Sequence, residues 1–249
     1  MKFAPARFFY VIVVTSFSLS GTALGAIRIF SASDFPTAWD TVEVSSGPSS
    51  NPDGGGGGSA SVSVAASGGN PGSYLNINLN VNGGYRIVTS FSFLPSFVHT
   101  PSTQGAINSL DYSFDTRRGG STSPGNAQAY GLGIEQNGIH YYTYYADSIT
   151  SWQTISETLI EADDFFVDGA NTDEAAIAGA ATPDFSASGS AITFGYWRGN
   201  STTVGSAYAE GYMDNYNVTL DYAPVPEPSQ VAWALGIVSL CVVMIRRRH

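Results

Sequence analysis

From Leu75 to Asn82 the chain alternates apolar residues and asparagine without a break. A two-residue period puts the apolar side chains on one face of an extended segment and the asparagines on the other. The pattern therefore predicts a strand with one buried and one wet face. Asn82-Gly83-Gly84 leads into Tyr85–Phe93, and the pair is expected to form a β-hairpin by turn chemistry and pattern together. A second hairpin is expected where 129–135 meets 139–145 across Gln136-Asn137-Gly138, because Asn-Gly favours a type I′ turn. Further strands are expected over 60–66, 107–115, 191–198 and 211–222. Helical periodicity is weak: Ile155, Leu159 and Ile160 are spaced for one helical face, and 173–181 is rich in alanine. Many short strands parted by Gly, Ser and Asn turns argue for an all-β antiparallel sandwich. The glycine run at 54–58, with Pro48 and Pro52, reads as a loop between a first strand and the rest.

The ends break this pattern. Lys2 and Arg7 precede an apolar stretch from Phe8 to Leu19. Ser20-Gly21-Thr22-Ala23-Leu24-Gly25 follows, with Ala23 and Gly25 at −3 and −1 of a cut before Ala26. Residues 1–25 are thus expected to be a helical secretory signal peptide. Pro226-Glu227-Pro228 is followed by fifteen uncharged residues, Val231 to Ile245, and then by Arg246-Arg247-Arg248-His249. A helix of that length covers about 22 Å, short of a hydrocarbon core of about 30 Å. The three arginines would hold its end at the cytoplasmic face, leaving the rest of the chain outside.

This tail resembles the PEP-CTERM sorting domain of exported bacterial proteins: Pro226-Glu227-Pro228, the apolar helix and the Arg-rich end stand in the same order. The resemblance covers residues 224–249. It implies recognition by an exosortase-type membrane protease, removal of the tail after transient anchoring in the membrane, and delivery to the cell surface or extracellular polymer. The domain organisation expected is a signal peptide over 1–25, one sandwich domain over 26–223 and the sorting tail over 224–249.

Composition sharpens this division. Only 12% of residues are charged, and 10 Lys+Arg stand against 20 Asp+Glu, a net charge of −10. The two ends hold five of those bases and one of the acids, so the middle keeps 5 against 19, or −14. A charge of that sign disfavours a nucleic-acid partner, which needs clustered base, and none is expected. The single cysteine, Cys241, excludes an intramolecular disulfide and a Cys-based zinc site.

A second resemblance covers scattered segments of 60–222. Gly69-Asn70-Pro71-Gly72-Ser73-Tyr74-Leu75, Pro183-Asp184-Phe185, Ile192-Thr193-Phe194-Gly195 and Met213-Asp214-Asn215-Tyr216-Asn217-Val218-Thr219-Leu220 look like exported proteins with a concanavalin A-like or laminin G-like jelly roll. That resemblance implies a jelly-roll fold and a ligand-binding or structural module, often for carbohydrate.

No catalytic residue is expected. The chain has no Gly-x-Ser-x-Gly elbow, no His-Glu-x-x-His and no Glu-x-Asp-x-x-Glu strand of the kind jelly-roll glycosidases carry. His99 and His140 stand alone. Glu157, Glu161, Asp163, Asp164, Asp168, Asp173 and Glu174 fall within eighteen residues and fit either a solvated face or a calcium loop. Asp214, an acid on the closing strand, is a second candidate for structural calcium. No other cofactor is expected.

The aromatic grouping is the best binding clue. Tyr141, Tyr142, Tyr144 and Tyr145 put two rings on each face of a strand, with Tyr130 on its partner and Trp152 close in sequence. Flat rings stack on the C–H faces of sugars while amides and carboxylates take the hydroxyls, so Tyr142, Tyr144 and Trp152 are candidate carbohydrate contacts. Core or cross-strand packing explains the same rings. Three functions stay open: an exported polysaccharide-binding module, a structural matrix protein with no discrete site, and a glycan-cleaving enzyme.

Overall fold

The computed structural model describes residues 25–33, 39–44, 58–82, 86–121, 128–147, 149–167, 182–202 and 205–225. The expected signal helix, the glycines at 54–57, the alanine-rich 173–181 and the tail from Pro226 lie outside the described residues.

The described chain is almost wholly strand: β1 (Ala26–Ala32), β2 (Asp40–Val44), β3 (Gly58–Gly69), β4 (Gly72–Val81), β5 (Arg86–His99), β6 (Gly105–Ser121), β7 (Gln128–Gln136), β8 (Ile139–Tyr142), β9 (Tyr145–Asp147), β10 (Gln153–Ile160), β11 (Phe166–Val167), β12 (Ile192–Thr202) and β13 (Ala207–Pro224). One helical turn, Pro101–Gln104, joins β5 to β6, and a 3-10 turn, Ala162–Asp164, follows β10.

Every pairing is antiparallel. A six-stranded sheet runs β10-β6-β13-β4-β3, with β1 also on β13. A seven-stranded sheet runs β11-β8-β7-β12-β5-β2, with β9 also on β7. The two sheets share one core. Leu75, Ile77, Leu79 and Val81 reach it from β4, Leu132 and Ile134 from β7, Phe194 and Tyr196 from β12, and Met213, Val218 and Leu220 from β13. Each side chain fully buried in this way contributes about 1.5–3 kcal/mol of transfer free energy. The result is a β-sandwich.

The asparagine alternation of β4 behaves as its period requires: odd positions are buried and Asn76, Asn78 and Asn80 face outward. Its expected partner is wrong. β4 pairs with β3 and β13, whereas β5 pairs with β2 and β12 in the other sheet. The chain thus crosses between layers after Asn82. The hairpin that β4 does form is with β3, closed around Asn70-Pro71, whose peptide is cis.

The second expected hairpin is present. Gln136 pairs with Ile139, and Asn137 (φ 55°) and Gly138 (φ 74°) occupy the two left-handed positions of the turn. The helical spacing of Ile155, Leu159 and Ile160 is overridden: all three lie on β10, with a register shift between Glu157 and Ile160 and Leu159 at φ 59°.

Candidate functional site

The outer face of the six-stranded sheet is built by alternation on three adjacent strands. β13 sends Ala207, Ala209, Gly211 and Met213 into the core, so Tyr208, Glu210 and Tyr212 face outward beside the asparagines of β4. In register, Asn80 lies opposite Tyr208, Asn78 opposite Glu210 and Asn76 opposite Tyr212. Tyr208 Oη donates to Asn78 Oδ1 at 2.6 Å, and Asn76 Nδ2 donates to Glu210 Oε1 at 3.3 Å. The other Glu210 oxygen accepts the N–H of Gly120 at 3.0 Å. Edge strand β3 extends the row with exposed Ser59, Ser61 and Ser63.

At one end of this row stands an aromatic cluster around a cation. Tyr212 faces Arg117 of β6, and Trp152 sits just before β10. The Arg117 guanidinium carbon lies 5.0 Å from the Trp152 ring centre and 4.7 Å from that of Tyr212. Tyr74 meets Tyr212 edge-on at 4.9 Å and Trp152 at 5.8 Å. Trp152 Nε1 donates to the carbonyl of Gly68 at 3.2 Å, which fixes the indole against the β3–β4 turn. All four side chains are partly exposed. Partial burial and the adjoining Glu210 push the Tyr212 phenol up to about 12, with Arg117 pulling the other way. It therefore stays a neutral hydroxyl, able to donate and to accept.

Beneath this cluster lies a polar knot. Asp115 and Asp214 face each other across β6 and β13, both buried. Asp214 accepts the backbone N–H of Asn70 at 2.5 Å and that of Asn215 at 2.7 Å. Asp115 accepts Thr154 Oγ1 at 2.5 Å, Asn215 Nδ2 at 2.6 Å and Asn70 Nδ2 at 3.1 Å. These carboxylates thus hold the turn above them. Asp214, the calcium candidate, meets amide donors at both oxygens. Among the described residues no group of three or more His, Cys, Asp or Glu side chains gathers as a metal site. Of the acidic run, Glu161 and Asp164 cap their own 3-10 turn, while Asp168, Asp173 and Glu174 lie outside the described residues.

The other two carbohydrate candidates are elsewhere. The tyrosine strand splits as expected: Tyr141 is buried and Tyr145 packs on the core, whereas Tyr142 and Tyr144 point outward from the seven-stranded sheet. Tyr142 stacks on Trp197 of β12, with centroids 4.0 Å apart and planes 13° from parallel. Tyr144 lies 6.2 Å from the same ring. Trp197 belongs with Phe91 and Phe93 to a second apolar cluster, on which His140 stacks. Burial lowers the His140 pKa, and Glu135 at 4.0 Å pulls it back. Trp197 is only 2% exposed, so this group is chiefly packing, with the 58%-exposed Tyr144 at its margin.

Trp152 and the Tyr142–Tyr144 pair therefore do not share a platform; they sit on opposite layers. Tyr74, Tyr208, Glu210, Tyr212 and Arg117 were missed. The signal for Tyr208, Glu210 and Tyr212 was the Ala-Tyr-Ala-Glu-Gly-Tyr alternation of 207–212, which is strict but has small residues where large apolar ones are usual.

No protein family and no curated relative matches the chain. Among solved structures it is similar to TmCBM61 in complex with β-1,4-galactotriose, at 8% identity over 65% of this chain and 86% of that one, with a TM-score of 0.31. It is also similar to the CBM22-1 xylan-binding domain of Paenibacillus barcinonensis Xyn10C, at 12% identity over 77% and 100%, TM-score 0.29. A third likeness is to SGBP-B from a xyloglucan utilization locus of Bacteroides uniformis, at 13% over 79% and 47%, TM-score 0.25. At these scores none of them carries a conclusion about function.

Proposed function

We propose that the protein is an exported bacterial surface protein whose jelly-roll domain binds a polysaccharide without cleaving it, on the outer face of the six-stranded sheet. The observation that carries this reading is the adjacency of the Tyr74–Trp152–Tyr212 rings to the Asn76, Asn78 and Glu210 row. Rings supply flat apolar surface for sugar C–H faces, and the amide, carboxylate and phenol groups take hydroxyls. The acidity of the domain disfavours a polyanionic glycan, so the ligand class is a neutral chain. Asp115, Asp214 and Glu210 are each held in hydrogen bonds to neighbouring groups, which supports binding over acid–base chemistry.

The export reading rests on residues 1–25 and on Pro226-Glu227-Pro228 with the apolar and Arg-rich segments behind it. An exosortase-type protease is the partner it names. Binding of the full chain to immobilised neutral glycans tests the first part, and cell fractionation tests the second. Retention on at least one neutral glycan, weakened by Trp152→Ala, is expected; no retention on any overturns the binding reading. Full-length protein with an intact tail in the cytoplasm overturns the sorting reading.

A further inference from the structure

The middle of the chain carries five basic residues, and three of them, Arg117, Arg118 and Arg198, line one closed gap that has no room for a water molecule as it stands. Thr116, Gln128, Tyr130 and Ile149 complete it. Arg117 turns to the outer aromatic cluster. Arg118 and Arg198 do not.

Arg198 alternates with the core residues Phe194 and Tyr196 on the inner face of β12 and is 1% exposed. Its guanidinium lies on Gly211 of the opposite sheet, where a Cβ would overlap it. Gly211 in turn pairs with Arg118, so the two arginines meet in the space between the layers. Among the described residues neither forms an ion pair. The hydrogen bond of Arg198 is a marginal 3.5 Å from Nη1 to Tyr196 Oη. Arg198 Nε, Arg118 Nε and Nη1, and Nδ2 of Asn200 two residues along β12 are all buried without an acceptor. Glu210, the acid next to Gly211, points to the far side of the sheet and is bound there by Asn76 and Gly120.

A buried charge left uncompensated costs several kcal/mol, and unmet buried donors add to that. Here two cations and three unmet guanidinium donor atoms converge, beside the unmet acceptor Gln128 Oε1, in a chain that is otherwise strongly acidic. We infer that the space between Arg118 and Arg198 is a binding site for an oxyanion. The ligand must be negatively charged, small and rich in acceptors: an inorganic sulfate or phosphate, or the carboxylate of an acidic sugar. Arg118 is partly exposed and is the side chain that moves to admit it, because Arg198 is pinned between Gly211 and Tyr196. This site lies on the opposite side of the six-stranded sheet from the outer aromatic face and does not depend on the sugar-binding reading.

Thermal unfolding of the full chain in mild detergent, with sodium sulfate, phosphate or glucuronate against sodium chloride of equal ionic strength, tests the inference. Sulfate stabilises proteins nonspecifically, so the same series is run on Arg118→Met. At least one oxyanion is expected to raise the Tm by about 3 °C or more beyond chloride, as saturating a native-state site does. Arg118→Met should abolish that excess without lowering the anion-free Tm. Arg198→Met should abolish it too; should that variant not fold, Arg118→Met alone decides. The arm that responds separates an inorganic ion from a sugar acid. No excess for any oxyanion, or an equal excess in Arg118→Met, overturns the site.

Discussion

Asp214 of the last strand accepts the backbone N–H of Asn70 across 2.5 Å, tying the turn between β3 and β4 to a strand 144 residues away. The carboxylate is fully buried and takes a second N–H from Asn215. Replacing it by alanine leaves two backbone donors unmet in a water-poor site. Asp214→Ala is expected to lower unfolding stability by about 2–3 kcal/mol in a denaturant titration. A loss under about 0.5 kcal/mol, the range of an ordinary surface change, would mean that the knot does not hold the turn.

The two aromatic groups on opposite layers make a discriminating pair of variants. Trp152→Ala removes the ring against which Arg117 and Tyr74 pack at the end of the asparagine row. It should weaken binding of a neutral glycan at least tenfold, about 1.4 kcal/mol. Tyr144→Ala, at the margin of the Trp197 cluster, should leave affinity within about twofold. The opposite ranking by titration calorimetry would move the site to the seven-stranded sheet.

His99 is fully buried, and its Nε2 donates to the carbonyl of Gly105 at 2.8 Å, while Nδ1 meets no donor. Burial lowers its pKa from the ordinary 6.5, the bond to Gly105 opposing and the charge of Arg28 assisting. The unfolded chain therefore gains a proton as pH falls through about 6.5, and the folded chain does not until a lower pH. Stability from this group is full above about pH 6.5 and falls below it. The Tm of the natural protein should drop between about pH 7 and pH 5, and His99→Gln should flatten part of that slope. An unchanged slope would show that His99 gains its proton without unfolding.

Gly138 holds the second turn position of the β7–β8 hairpin at φ 74°. An alanine there has open space around it, so the cost is one of backbone conformation alone. Gly138→Ala should cost about 1–2 kcal/mol. A neutral outcome in thermal unfolding would show that the turn relaxes to another type.

The legible part of the fold was whatever depends on local period and turn chemistry. The Asn-Gly turn placed β7 against β8, and the alternation of β4 assigned its faces before any partner was known. Pairing across layers was illegible, because Asn82-Gly83-Gly84 is as suited to a crossing between sheets as to a hairpin. The fate of β5 was set by β12, more than ninety residues away. The site divided in the same manner. Trp152 was legible as a candidate ring, but grouped with Tyr142 and Tyr144, its neighbours in sequence. Its company came from Tyr74, Arg117 and Tyr212 on three separate strands, which only register brings together. The tyrosine strand drew notice for its density, yet its outward rings mostly cover Trp197.

The pairing of β1 with the far half of β13, Ala26 opposite Tyr222, has a kinetic meaning. The first strand has no place in the sheet until almost the whole domain has been synthesised. Its neighbour is the strand that also carries β4 and β6. Closing so long a loop before gaining its contacts makes folding slow, as topologies rich in distant pairings are. A chain of this connectivity completes its six-stranded sheet only when the far half of β13 arrives, so β1 is the strand that waits longest for its partner.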